Sequence, residues 1–292
     1  MTIGISAYDM PAPELLALAV AADQLGFDAL WLGEHVVLPV GYGSDHPTSG
    51  ETAAQHHSGP IVGPATELLD PFVMLGAIAG ATRWLRLATG IYLLPLRHPL
   101  ITARAACTAQ DVSGGRFLLG VGRGWLREEF DALDVPFDER GGRFDEAIEI
   151  LRRAWAGGPF DYAGDHFRFP PVHVTPRPVR VPLVLGGNSD RALRRAASLG
   201  DGWISSGTPS FDDALRLRDR LDHLAVRHGR SRPLECYFRV EGFDPALVEQ
   251  YRSHGIDHVV VWADQVWHGG SLDERRRNLA DAAGALGLPS PV

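Results

Sequence analysis

Eight times along its 292 residues the chain passes from a short apolar run suited to a buried strand into a stretch with helical spacing. The strand-like runs are Thr2–Ser6, Ala29–Leu32, Leu85–Ile91, Phe117–Gly122, Leu183–Leu185, Gly202–Ile204, Glu235–Glu241 and His258–Trp262. The helical stretches are Pro13–Leu25, Pro71–Ala81, Leu100–Asp111, Phe144–Ala156, Asp190–Leu199, Phe211–His228, Pro245–His254 and Leu272–Leu286. Within the first of them Leu15, Leu18, Ala19 and Ala22 recur at the three- and four-residue steps of one helix face. Alternation of this kind is the pattern of a parallel sheet covered by helices, and eight βα units close naturally into a barrel. An open doubly wound sheet would want a Gly-x-Gly-x-x-Gly turn after its first strand, where this chain has Ala7-Tyr8-Asp9-Met10-Pro11. The expected fold is therefore α/β, a TIM (β/α)8 barrel with insertions, spanning residues 1–292 as one domain.

Two long interruptions fall outside the pattern, at about 36–69 and 157–181. The first, Val36–Leu69, follows the second strand and so belongs to the C-terminal mouth, where barrel active sites are built. The second, Gly157–Val181, reads as a hairpin of Phe160–Tyr162 against His166–Phe169 followed by a proline-punctuated extended stretch. It precedes the fifth strand and belongs to the opposite face.

Composition excludes several classes of function. The formal net charge is −8, and an acidic chain without a clustered basic face suits neither nucleic acid nor an anionic membrane. The two cysteines, Cys107 and Cys236, are far apart, which supports neither a disulfide framework nor a zinc site. No His-Glu-x-x-His spacing occurs, His56-His57 included, so no metal is expected. The N-terminus lacks a basic segment followed by an apolar one, so a cytoplasmic protein is expected. All 28 basic residues are arginine, so any anion held by a basic side chain must be held by Arg.

Three segments can carry chemistry. Leu32-Gly33-Glu34-His35 ends the second strand, which sets Glu34 and His35 at the mouth; a histidine there can move a proton near neutral pH. Gly114–Trp125 is a strand running into a glycine-rich turn, and Gly120, Gly122 and Gly124 would let a flat ligand or a neighbouring backbone approach closely. Gly186-Gly187-Asn188-Ser189 ends the fifth strand, with Asn188 and Ser189 offering N-cap chemistry to a helix whose free N–H groups form an anion site.

Taken together, Gly115–Trp125, the Gly186–Ser189 turn with its Arg/Ala-rich helix, and Gly200-Asp201-Gly202-Trp203 resemble the luciferase-like monooxygenase family, in its actinobacterial branch dependent on coenzyme F420. The resemblance implies an oxidoreductase that transfers a hydride between the deazaflavin F420 and a small organic substrate. The alternatives are an FMN-dependent monooxygenase on the same barrel and a non-catalytic flavin-binding protein. In this reading His35 is the proton donor or acceptor, and Glu34 orients it or the local charge. The implied cofactor-binding set is Ser6, Ala7, Thr89, Gly90, Ile91, Gly122, Trp125, Gly186, Gly187, Asn188 and Ser189, with a non-prolyl cis peptide at Gly90–Ile91 buttressing the ring. Trp125, with Trp31 and Trp203, would wall the pocket, and Arg97, Arg123 and Arg194 would receive the acidic tail. The sugar-phosphate dehydrogenases of this branch are expected to carry Glu where this chain has Trp125, which argues against a sugar phosphate as substrate. The expected assembly is a homodimer acting on a small molecule.

Overall fold

The computed structural model describes residues 1–45, 63, 65–175 and 177–289. In chain order the elements are β1 (Thr2–Ala7), α1 (Ala12–Gln24), β2 (Ala29–Leu32), α2 (Pro71–Ala81), β3 (Arg86–Thr89), β4 (Tyr92–Leu93), α3 (Pro99–Val112), β5 (Phe117–Gly122), α4 (Arg127–Ala132) and α5 (Arg140–Trp155). They continue with β6 (Phe160–Ala163), β7 (Arg168–Val172), β8 (Leu183–Gly186), α6 (Asp190–Leu199), β9 (Gly202–Ile204), α7 (Phe211–Arg227), β10 (Glu235–Arg239), α8 (Pro245–Ser253), β11 (His258–Trp262), α9 (Ala263–Val266) and α10 (Leu272–Ala285).

Strands β1, β2, β3, β5, β8, β9, β10 and β11 run parallel, each beside its neighbour, and β1 pairs with β11 while β3 pairs with β5. The sheet therefore closes on itself as the expected (β/α)8 barrel. Each strand predicted from the sequence is present, and the remaining pair, β6 and β7, forms the antiparallel hairpin expected within 157–181. Of the first interruption, residues 46–62 and 64, His56 and His57 among them, lie outside the described residues.

The alternation of side chains along each strand divides the apolar residues into two layers. Ala29, Trp31, Ala88, Leu118, Val184, Ile204, Tyr237 and Val260 pack inside the barrel, while the larger cluster lies between the strands and the helices. Trp31 and Trp203 are both fully buried, one in each layer, so neither walls an open pocket. Among the described residues, no helix is long and apolar enough to cross a membrane.

The wall at the mouth is irregular at one place. Ala88 is paired with Leu118 and Tyr92 with Val121, so four steps along β3–β4 oppose three along β5, which is a bulge of one residue. The Gly90–Ile91 peptide within it is cis, as the family resemblance implies.

Candidate functional site

The C-terminal ends of β1, β2, β3, β5, β8 and β10 surround the mouth. At β2 the chain leaves the sheet through Gly33, and Glu34 and His35 part company. His35 Nδ1 lies 2.9 Å from Glu129 Oε2, and Glu129, on α4, is fully buried. The same carboxylate accepts the backbone N–H groups of Val36 and Val37. Glu129 thus fixes both the ring of His35 and the start of the loop behind it. A carboxylate at Nδ1 holds the proton there and leaves Nε2 as the acceptor of the neutral imidazole.

Glu34, expected to orient His35 or the local charge, turns to Arg97 and not to His35. Its oxygens take Arg97 Nη2 at 2.5 Å, Arg97 Nη1 at 3.1 Å and the N–H of Leu93 at 2.8 Å. Burial raises the Glu34 carboxyl above its ordinary pKa, and Arg97 and the Leu93 N–H only partly offset that. The physical reason is the alternation at a strand end: consecutive residues point to different sides, so Glu34 turns to β4 and His35 to α4. Arg97, expected to meet an anionic ligand, is therefore committed to Glu34. Sequence reasoning missed Glu129, whose only signal was an acidic residue in the short helix after the glycine-rich turn.

Trp125 lies at the mouth, half-buried, with its ring edge-on to His35 at 5.8 Å and to Tyr42 at 5.6 Å. These rings form an aromatic wall beside the His35 ring. The glycines that precede Trp125 serve the chain itself. A Cβ at Gly120 would sit 1.9 Å from the carbonyl oxygen of Thr89, and one at Gly122 would sit 2.1 Å from Ile91 Cδ1. Gly124, at φ +80°, faces the Phe130 ring. A Cβ at Gly186 would also meet Ile91, 3.0 Å from Cγ2. Gly122 and Gly186 thus make room for Ile91, which the bulge carries over the floor of the mouth. Thr89 Oγ1 is bonded to the carbonyl of Gly120 at 2.6 Å and Ser6 Oγ receives Arg239 Nε at 3.3 Å, so both hydroxyls have partners inside the wall. Ala7 is buried in the outer layer.

At the fifth barrel strand the turn divides its labour. Ser189 caps α6, its Oγ accepting Ala192 N–H at 3.3 Å. Asn188, expected to share that role, instead exchanges two hydrogen bonds with the backbone of Ser206, at 2.8 and 2.9 Å. Gly187 adopts φ +118°, and its carbonyl receives Trp203 Nε1 at 2.8 Å.

Beside this turn three guanidinium groups converge, and the charge of a fourth, Arg140, acts on them. A Cβ on Gly141, at the start of α5, would lie 3.8 Å from Arg123 Nη1, 3.8 Å from Arg191 Nη2 and 3.9 Å from Arg195 Nη2. Burial depresses the pKa of Arg123, and the charges of Arg195, Arg140 and Arg191 add to that effect, while only Asp145 opposes it. Asp145 is already engaged by Arg195, at 2.5 Å from Nε and 2.7 Å from Nη2. The Nη1 atom of Arg195 and Nε of Arg140 are buried without a hydrogen-bond partner. A surplus of buried, orphaned cationic donors is what an anion would satisfy. Of the three arginines expected to receive an acidic tail, only Arg123 belongs to this cluster, because Arg194 lies exposed beside Asp190. Arg191 and Arg195, one turn apart on α6, were legible as a pair; their meeting with Arg123 and Arg140 was not.

A closed parallel barrel with a histidine–carboxylate pair and a basic cluster at its C-terminal mouth is the arrangement of a ligand-binding α/β-barrel enzyme. The chain belongs to the luciferase-like monooxygenase family, whose family model matches residues 2–243. It is 30% identical over 248 residues to an uncharacterised protein of Mycobacterium bovis, covering 84% of this chain and 83% of that one. Its fold is similar to that of the monooxygenase RslO1 from Streptomyces bottropensis, with a TM-score of 0.77 at 23% identity over 98% of each chain. It is also similar to that of an F420-dependent secondary alcohol dehydrogenase in complex with an F420-acetone adduct, with a TM-score of 0.73 at 16% identity over 98% of each chain. At these identities the two structures establish the fold.

Proposed function

We propose that this protein transfers a hydride between coenzyme F420 and a small organic substrate bearing a hydroxyl or carbonyl group. The observation that carries the cofactor assignment is the arginine cluster, in which Arg123 has Arg195, Arg140 and Arg191 around it and only Asp145 to oppose them. A single phosphate, as in FMN, occupies one or two guanidinium groups, whereas the longer acidic tail of the deazaflavin can use the whole cluster. Arg123, Arg140, Arg191 and Arg195, with the backbone of Gly186–Ser189 at the α6 N-terminus, would hold the anionic part. Gly90 and Ile91 would support the ring. When bound, the deazaflavin supplies the hydride-accepting or hydride-donating carbon.

The remaining chemistry belongs to the chain. Glu129 holds the proton on Nδ1 of His35, so Nε2 accepts the hydroxyl proton of an alcohol, or returns it to a carbonyl in the reverse direction. Trp125 and Tyr42 exclude water from that side of His35 and favour an apolar substrate body. A non-catalytic flavin binder would not need the ring of His35 to be oriented by a buried carboxylate. Titrating the purified protein separately with F420 and with FMN, followed by fluorescence, tests the assignment. F420 is expected to bind more tightly, with an affinity that falls as salt screens the cluster over ~8–10 Å. Tighter binding of FMN at every salt concentration overturns it in favour of the monooxygenase reading.

A further inference from the structure

Arg239 ends β10, two residues beyond Tyr237, whose side chain is part of the barrel interior. By the alternation of the strand Arg239 points the same way, and it is only 6% exposed. Among the described residues its side chain bonds to neutral partners: Ser6 Oγ at 3.3 Å from Nε, the Ser205 carbonyl at 2.7 Å from Nη1, and the Gly90 carbonyl at 2.7 Å from Nη2. The Trp262 ring centroid lies 5.3 Å from Cζ. Among the described residues no carboxylate forms an ion pair with it, unlike Arg86, Arg97 and Arg195, each of which has one. Burial alone pulls its pKa down, to about 10, which leaves it charged at neutral pH.

A buried charge without a counter-ion opposes folding, and bracing a backbone carbonyl does not require one, since a neutral amide donates equally well. The guanidinium touches the carbonyl of Gly90, on the segment assigned above to the cofactor ring. We propose that Arg239 tunes the bound ring, as a cation in the floor of the mouth that favours the reduced, anionic form over the oxidised one. This rests on the functional reading above. In the balanced reaction a hydride leaves the substrate carbon with its electron pair and bonds to the ring, while the substrate hydroxyl proton passes to His35 Nε2. The substrate becomes a carbonyl compound, and the ring, having taken two electrons and one proton, carries one more negative charge. A fixed positive charge beside the ring lowers the free energy of that product in a site shielded from water.

The test compares wild type, Arg239→Met and Arg239→Lys in anaerobic titrations with oxidised and with chemically reduced F420, repeated with FMN. Arg239→Met is expected to lower the ratio of reduced-state to oxidised-state affinity at least tenfold, equivalent to a midpoint potential about 30 mV lower for a two-electron couple. Arg239→Lys, which keeps the charge, is expected to stay within threefold of wild type. Equal weakening of both oxidation states, or no change in the Met variant, would make Arg239 a brace for Gly90 and overturn the proposal. The wild-type protein supplies a second measurement should the Met variant fail to fold. Its bound reduced cofactor should remain deprotonated to a lower pH than the free cofactor, and an unshifted or raised value overturns the proposal. Failure of wild type to bind either cofactor is a different result: it overturns the functional reading and this inference with it.

Discussion

Arg86 at one end of the barrel and the arginines at the other are balanced in opposite ways. At the N-terminal end Arg86 is paired with Asp28 and Glu235 and bonded to the hydroxyl of Tyr237 at 3.1 Å, while Thr2 Oγ1 and His258 Nδ1 meet at 2.8 Å. Burial works against the charge of Arg86, yet Asp28, Tyr237 and Glu235 together hold its pKa above the ordinary value. At the C-terminal mouth the pKa values of Arg123 and Arg239 fall, and burial is the largest cause for both. The Arg86 network is electrostatically complete as it stands, although at the same end Arg116 is held by carbonyl groups and burial lowers its pKa. The mouth carries cations whose balance calls for something from outside the chain, as expected if it is the end that binds.

The comparison breaks most visibly at His35. His35→Ala should lower turnover by roughly 10²–10⁴ while leaving cofactor affinity nearly intact, because the proton transfer, not the binding, is lost. Steady-state kinetics on any alcohol or carbonyl compound that is turned over, with a parallel cofactor titration, check this. A fall in affinity with turnover preserved at saturation would instead give His35 a packing role at the ring.

Arg97→Met probes a buried ion pair at the mouth. It leaves Glu34 buried without its cation, at a cost of about 3 kcal/mol near neutral pH. The loss of Arg97 raises the folded-state pKa of Glu34 further. A carboxyl with a raised folded pKa contributes its stability below its unfolded value and loses it as pH rises through the folded one. The gap between wild type and variant in denaturant unfolding should therefore be wide at pH 7 and narrow towards pH 4. A gap independent of pH would mean that the lost packing of Arg97, not the charge of Glu34, sets the cost.

A matched pair of variants sharpens the contrast between the ends. Arg86→Met should cost about 2 kcal/mol of stability, discounted from a buried pair because the side chains of Arg86 and Asp28 are each 24% exposed, and should leave cofactor affinity unchanged. Arg123→Met should leave thermal stability unchanged or raise it, since like charges surround the group, and should weaken cofactor binding about tenfold, or ~1.4 kcal/mol. Thermal melts and titrations on both proteins decide the matter; equal stability losses would erase the distinction. The smallest effect belongs to Ser189→Ala, which removes the α6 cap and should weaken cofactor binding by about 1 kcal/mol or less. A β-branched residue at Gly187 should cost more, because φ +118° is closed to it and its Cβ would lie 3.0 Å from that of Ala192. Unchanged affinity in both would remove the turn from the binding site.

The eight strands, the helices between them and the mouth as the place to look were all legible in the sequence. Each rests on local periodicity and on the rule that parallel strands need crossovers, and neither depends on which side chains later meet. The placement of His35 was legible for the same reason, since a residue just after a barrel strand reaches the mouth wherever the rest of the chain goes. Its partner was not. Glu129 lies 94 positions away along the chain, on a helix that follows a different strand, and nothing in its neighbourhood distinguishes it from Glu128, which instead binds Gly43 N–H and Ser44 Oγ. The glycines at 120, 122 and 186 could be read only as places of close approach; closure of the barrel decided that a carbonyl and Ile91 fill them. Arg239 looked like one more polar residue at a strand end. That it is a cation without a counter-ion among the described residues follows from the seven other strands that surround it, because burial and pairing are properties of the closed barrel and not of any one segment.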